Sequence, residues 1–274
     1  MKYAIQLAQM VKGQTGINPP VGAVVVNNGR IVGLGAHLKQ GEKHAEVQAL
    51  DMAGKEANGG TIYISLEPCT HFGSTPPCVN KIIEFGLSKV SYAVKDTTLP
   101  SEGDAILEQA GIDVEHQYSE EAAALYKDFF KAKSEQIPEI TMKVSVSLDG
   151  KQATDLGQSK WITNSEVKQD VYHLRHTHDA VLTGNGTINA DNPLYTTRIP
   201  NGKNPIRIVL SKSGNVDFTK QLFQDSSSEV WIYTENQTLE SPNRNIKVIC
   251  IDKCDLKDIL KDSYKRGICL LYTS

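Results

Sequence analysis

Cysteine is scarce in this 274-residue chain and odd in number: five residues, at 69, 78, 250, 254 and 269. The opening residues, Met1-Lys2-Tyr3-Ala4-Ile5-Gln6-Leu7, are too polar for a secretory signal, so a disulfide framework is not expected. No uninterrupted apolar run approaches the ~20 residues that span a bilayer. A basic excess is missing as well. Lys+Arg number 29 against 32 Asp+Glu, for a net charge of −3. Residues 1–136 carry 12 basic and 16 acidic groups, and residues 137–274 carry 17 and 16. Neither half offers the positive surface that nucleic-acid binding requires. Membrane, secreted, disordered and nucleic-acid-binding classes are set aside, and a reducing, cytoplasmic setting is expected. What is there suits a globular protein: 39% hydrophobic residues, mean hydropathy −0.33, and length for two domains.

Apolar periodicity over 2–12 predicts a helix. The β-branched run 21–26, the Asn27-Asn28-Gly29 turn and the run 31–34 predict a hairpin, because Asn-Gly supplies the positive φ values of a tight turn. Further helices are expected over 44–52, 79–85, 105–110 and 119–133, with strands over 61–65, 89–94 and 112–115. The alternation predicts a three-layer αβα domain over 1–136. Ser134 to Glu139 reads as a linker, and a second α/β domain follows over 137–274. Its strands are expected near 140–147, 179–184, 205–211, 229–234 and 246–251, and its helices near 165–176 and 255–266. Cys250, Cys254 and Cys269 lie in or beside apolar stretches and read as small core hydrophobes.

The chemistry-bearing pattern is His44-Ala45-Glu46, then Glu67-Pro68-Cys69, then Pro76-Pro77-Cys78. One imidazole and two thiolates suit tetrahedral Zn2+ and leave a fourth position for water. Glu46, two residues past His44, is free to work on that water, the division of labour in zinc deaminases. His71 is the candidate fourth ligand if the zinc were structural instead. In that case Glu46 is a surface helix residue and the domain a scaffold.

The segments Asn18 to Val26, His44 to Leu50 and Leu66 to Cys78 resemble the deaminase half of the RibD family, bifunctional pyrimidine deaminase/reductases of riboflavin biosynthesis. Eight residues separate Cys69 from Cys78, where cytidine and tRNA-adenosine deaminases typically place two, which argues against a tRNA or nucleoside deaminase fused to an unrelated domain. The resemblance implies a cytidine-deaminase-like domain that hydrolytically deaminates a diaminopyrimidinone ribotide. It implies His44, Cys69 and Cys78 as metal ligands, Glu46 as the catalytic proton carrier, and Asn18, His71 and Asp96 as substrate contacts. Ser74 stands where many members carry lysine, and Thr97-Thr98-Leu99 replaces a usual Pro-Asn-Pro.

In the second half, Lys143 to Lys151, Gln158 to Asn164, Asp170 to Arg175, Asp179 to Thr187 and Asp191 to Arg198 resemble that family's reductase half and its dihydrofolate-reductase-like α/β fold. Taken alone, these segments read as a strand edge, a tryptophan core anchor, a helix capped by Thr163 or Asn164, and a glycine turn at Gly184-Asn185-Gly186. The resemblance places NADPH against Ser145, Trp161, Thr187, Asp191 and Ser211. It places the ribotide against Ser159, Arg175, Tyr195 and Arg198, for reduction of the ribosyl side chain. Asn192 replaces a second aspartate common in the family. Members continue past a strand at 267–272 with a Val-Glu-Gly-Gly-like segment, a helix and more strands, so an incomplete, impaired reductase is expected. The family also implies a homo-oligomer.

Overall fold

The computed structural model describes residues 1–73, 75–98, 102–155 and 162–273. The chain forms two compact units, Met1–Glu135 and Gln136–Ser274. Among the described residues no helix is long and apolar enough to cross a membrane.

The first unit runs α1 (Lys2–Met10), β1 (Gly22–Asn27), β2 (Arg30–Ala36), α2 (Ala45–Ala53), β3 (Thr61–Ile64), α3 (Cys78–Glu84), β4 (Lys89–Tyr92), α4 (Gly103–Gln109), β5 (Asp113–His116) and α5 (Glu120–Glu135). Asn28 and Gly29 take φ values of 50° and 75° and close the β1–β2 hairpin. The sheet order is β2-β1-β3-β4-β5, with β1 antiparallel to both neighbours and β3, β4 and β5 parallel. Ala23, Val25, Ile62, Ile64 and Val90 pack under Ala45, Ala49 and Leu50 of α2 and Val79 and Ile82 of α3. On the other face Ile5 of α1 and Ala122 and Tyr126 of α5 cover Leu66, Ala93 and Val94. These are the three layers the alternation predicts.

Two glycines set how closely α2 lies on the sheet. A Cβ at Gly33 would stand 2.0 Å from the Ala49 carbonyl oxygen, and one at Gly35 would stand 2.0 Å from that of Ala45. Only a strand without side chains there lets the helix backbone approach so near. The α2 N-terminus, where His44 and Glu46 sit, is thereby seated on β2. Behind the site, the Tyr126 hydroxyl donates to the Pro20 carbonyl at 2.8 Å and accepts from Ser65 at 2.6 Å, while Ser65 also takes the Gly22 N–H.

The second unit runs β6 (Glu139–Met142), α6 (Ser165–Thr177), β7 (Ala180–Gly184), α7 (Asn185–Asp191), β8 (Ile206–Leu210), α8 (Gln221–Gln224), β9 (Val230–Thr234), β10 (Ile246–Cys250), α9 (Leu256–Lys265) and β11 (Leu270–Thr273). All six strands are parallel, in the order β10-β9-β8-β7-β11-β6. One face packs on Val171 of α6 and the other on Ile259 and Leu260 of α9. Burial on both faces explains why Val230–Thr234 is buried throughout and lacks alternation. The Asp179 carboxylate accepts the N–H groups of Cys269 and Leu270, both at 2.9 Å, and fastens β11 beside β7.

Several expectations need correction. The helix expected to end at 133 continues through Glu135 and stops where Gln136 takes a φ of 54°, so the connection shrinks to 136–138. The strand expected over 140–147 ends at Met142, where its ladder with β11 ends. Ile140, Met142, Val144, Val146 and Leu148 are exposed. Gly186 does not form a glycine turn; it lies in the first turn of α7. Cys250 is exposed, not a core residue, because its side chain leaves the outer strand β10 on the solvent side. Asn164 caps α6, its Oδ1 accepting the Val167 N–H at 3.0 Å.

Candidate functional site

His44 is the N-cap of α2 and Cys78 the first residue of α3, so both stand at positive helix ends. Cys69 lies in the loop after β3. His44 Nδ1 is 3.2 Å from Cys78 Sγ and 3.5 Å from Cys69 Sγ, and one ligand atom from each residue falls within 4.8 Å of the others. The Cys78 N–H also donates to Cys69 Sγ at 3.4 Å. One nitrogen and two sulfurs, with no fourth His, Cys, Asp or Glu in the group among the described residues, form the donor set of an open zinc site. His71 is exposed on the wall of the adjoining cavity and is not among these ligands.

Protonation follows the geometry. A hydrogen bond from Cys78, and then His44, holds Cys69 well below the usual thiol range. Cys78, sharing that proton with Cys69 and buried, is pushed up. The Cys69 contact in turn raises His44. Glu46, in the first turn of α2, is 3% exposed, and its Oε2 is buried without a hydrogen-bond partner among the described residues. Burial, reinforced by the charge of Cys69, lifts its carboxyl to about 7. A carboxyl so poised exchanges protons at neutral pH.

The cavity beside these groups is lined by Asn18, His37, His44, Glu46, Asp96 and Thr98, among others. The Asn18 amide donates to His37 Nε2 at 3.1 Å. Asp96 Oδ1 accepts from the Thr98 N–H and hydroxyl at 2.9 and 2.6 Å, and Glu67 Oε2 accepts the Asp96 N–H at 3.1 Å. Asn18, His71, Asp96 and the metal group thus share one cavity. Sequence reasoning marked Thr98 only as part of a departure from the family pattern, and it missed His37 and Thr75, whose Oγ1 lies 3.2 Å from His44 Nε2. Isolated polar residues carry no spacing signature, so no signal marked them.

In the second unit, Arg175, in the last turn of α6, lies over the Tyr195 ring at 5.3 Å and donates to the Thr196 carbonyl at 3.2 Å, while its Nε is buried without a partner among the described residues. Arg198 lies over Tyr172 and donates to its hydroxyl at 3.0 Å. The Tyr195 hydroxyl meets Thr183 at 3.1 Å. Tyr195 and Arg198 both take positive φ, 55° and 57°, a strain that collects at functional loops. Burial, and then Arg198, lower Arg175; burial, and then Arg175, lower Lys143. Arg175 therefore stands between two further cations, Lys143 and Arg198, a grouping suited to an anion. The place of Lys143 two residues before Ser145 was the available sequence signal.

Ser145 follows β6, Thr187 lies in the first turn of the helix after β7, and Ser211 follows β8, at the carboxyl end of the parallel sheet where such folds bind ligands, whereas Asp191 is the last residue of that helix. Ser211 Oγ and Asn185 Oδ1 are buried at that end of the sheet without partners among the described residues, as a bound cofactor would require. Asp191 is exposed, and the Asn192 side chain accepts the Gln221 N–H at 2.8 Å. Ser74, Ser159 and Trp161 lie outside the described residues.

Comparison with known proteins agrees with both units. Residues 1–94 match the cytidine and deoxycytidylate deaminase zinc-binding region, and residues 138–274 match the RibD C-terminal domain. Riboflavin biosynthesis protein RibD of Bacillus amyloliquefaciens is 39% identical over 99% of this chain and 76% of its own length. That of Aquifex aeolicus is 42% identical over 95% of this chain and 75% of its own. The crystal structure of a diaminohydroxyphosphoribosylaminopyrimidine deaminase/5-amino-6-(5-phosphoribosylamino)uracil reductase from Thermotoga maritima superposes with a TM-score of 0.92 at 35% identity, covering 100% of this chain and 79% of that one. With a deaminase unit of cytidine-deaminase-like fold and a dihydrofolate-reductase-like unit in succession, the chain belongs to the RibD family of bifunctional deaminase/reductases of riboflavin biosynthesis.

Proposed function

We propose that the first unit hydrolyses the 2-amino group of 2,5-diamino-6-(5-phosphoribosylamino)pyrimidin-4(3H)-one, releasing ammonia, and that the second reduces the ribosyl side chain of 5-amino-6-(5-phosphoribosylamino)uracil with NADPH. The observation that carries the first activity is the convergence of His44, Cys69 and Cys78 beside a buried Glu46 with one unpartnered oxygen. His44, Cys69 and Cys78 would hold zinc, which lowers the pKa of water toward neutrality. Glu46 accepts the proton that the water gives up and passes it to the departing amino nitrogen. Its burial at the start of α2, beside the metal group, sets its carboxylate to work on the water and then on the leaving nitrogen. Asn18, His71 and Asp96 line the same cavity and orient the ring.

In the second unit, Arg175, Arg198 and Lys143 grip the phosphate, with the arginines as planar donors, and Tyr195 borders the sugar, a role the family resemblance also gives Ser159. NADPH supplies the hydride when bound, and Ser145, Trp161, Thr187, Asp191 and Ser211 are the residues offered to it. The test is one mass-spectrometric time course with zinc-loaded protein, the diaminopyrimidinone ribotide and NADPH in the same tube. The ribityl product is expected if both units work in sequence. Accumulation of the deaminated ribosyl compound alone removes the reductase activity from the reading. Untouched substrate with folded, zinc-loaded protein removes the deaminase activity.

A further inference from the structure

The cavity beside His44 and Glu46 measures about 160 Å³, below the range of pockets that enclose a whole drug-sized ligand. A volume of that order suits a heterocyclic ring and not a whole ribotide, so with the base beside Glu46 the sugar and phosphate would extend toward the open side. The wall is hostile to a dianion. Its carboxylates are Glu46, Glu67 and Asp96, and among the described lining residues Lys133 alone is a Lys or Arg.

Lys133 follows Phe129 by four residues on α5, which puts both on one helix face, and both line the cavity. One turn before Lys133, Phe129 supplies an apolar wall. The buried Tyr126 hydroxyl, bonded to Ser65 and Pro20, fixes α5 against the unit. Lys133 is exposed, and no ion pair among the described residues neutralises it. His71 adds a hydrogen-bonding imidazole to the wall but not the permanent charge of an ammonium.

We propose that Lys133 holds the 5′-phosphate of the substrate in the deaminase site and gives that site its preference for a phosphorylated sugar. The proposal rests on the deaminase reading above. An acidic wall repels a phosphate, and Lys133 offsets that repulsion without touching the reacting carbon. Its removal should therefore act on KM, not kcat, and only when the substrate carries phosphate.

The experiment measures kcat and KM of the zinc-loaded full chain for the diaminopyrimidinone ribotide and for the same ribonucleoside without phosphate. The variants are Lys133→Ala, Lys133→Arg and, as a control on the same helix, Lys131→Ala. In Lys133→Ala the ribotide-over-nucleoside preference should fall about tenfold through KM, with zinc content unchanged, and Lys133→Arg should restore most of it. Lys131→Ala should keep the preference. A Lys133→Ala enzyme with the full preference overturns the role of Lys133 and leaves the deaminase reading standing. Failure of the unsubstituted, zinc-loaded chain to deaminate either compound overturns both.

Discussion

His44 turns its two ring nitrogens to different tasks: Nδ1 faces the sulfurs of Cys78 and Cys69, and Nε2 lies 3.2 Å from Thr75 Oγ1. A ligating imidazole is held in one tautomer by the group that takes its other N–H, and losing that group costs 10–100-fold in metal affinity. Thr75→Val keeps the shape and removes the acceptor. Zinc affinity, read by competition with a chromogenic chelator, should fall by about tenfold, and Thr75→Ser should restore it. Equal affinity in Thr75→Val would show that Thr75 leaves the ligand's orientation untouched.

Glu46 separates catalysis from metal binding. Cys69→Ser and Cys78→Ser should lose zinc and weaken the first unit, since metal binding energy is in part folding energy. Glu46→Gln should keep zinc, measured by atomic absorption, while turnover drops by about 10²–10⁴-fold, the usual share of general acid–base catalysis. Loss of metal in Glu46→Gln would make Glu46 a ligand instead of a proton carrier.

The same carboxyl shapes stability once a chelator has removed the metal. Its pKa of about 7 in the fold stands above the ordinary 4.5, so the folded chain binds a proton that the unfolded chain has released between those values. Its contribution is fully present below pH 4.5 and lost as pH rises through 7. Urea unfolding of chelated protein should show the unsubstituted chain losing ground to Glu46→Gln over that window, by about 3 kcal/mol at most. A difference that does not change with pH would place Glu46 in contact with water.

The grouping of His44, Cys69 and Cys78 was legible because His-x-Glu and two Pro-Cys pairs carry chemistry in their spacing, and His44 and Cys78 fall at helix starts, which the apolar periodicity also marks. Thr75 and His37 were not, because each is a single polar residue whose role depends on what the fold brings opposite it. The apolar alternation from Ile140 to Leu148 reads as one long strand, but strand length is set by a partner, and the ladder with β11 ends at Met142. Gly186 reads as a turn because glycine weakens a helix, yet α7 begins one residue before it.

His37 decides which way Asn18 reads a ligand. Its Nδ1 lies 3.3 Å from the Lys43 carbonyl, so that nitrogen carries the proton and Nε2 is left to accept the Asn18 amide N–H. The Asn18 oxygen is thereby turned away from His37, ready for a donor on the base. Long-range ¹H–¹⁵N correlation of the imidazoles should find His37 protonated on Nδ1. His37→Phe should raise KM several-fold, and His37→Gln, which keeps an acceptor, should recover it. Protonation on Nε2 would reverse the amide and the hydrogen-bonding demand on the ligand.

The close seat of α2 on β2 makes Gly35 a functional position although it touches no ligand. A methyl there would meet the Ala45 carbonyl oxygen at 2.0 Å, and Ala45 stands between His44 and Glu46. Neither backbone can yield without moving the other, so Gly35→Ala must lift the N-terminus of α2, shifting a metal ligand and the proton carrier together. Overpacking of this kind costs about 1–3 kcal/mol, and a displacement of about 1 Å at a catalytic group can cost 10²-fold in rate. Gly35→Ala should lower the Tm of the first unit and depress both zinc affinity and kcat. Gly184→Ala, where nothing lies within 4 Å of the added Cβ, is the control and should change none of these. Normal zinc affinity and turnover in Gly35→Ala would mean that the position of α2 on the sheet does not govern the geometry of the site.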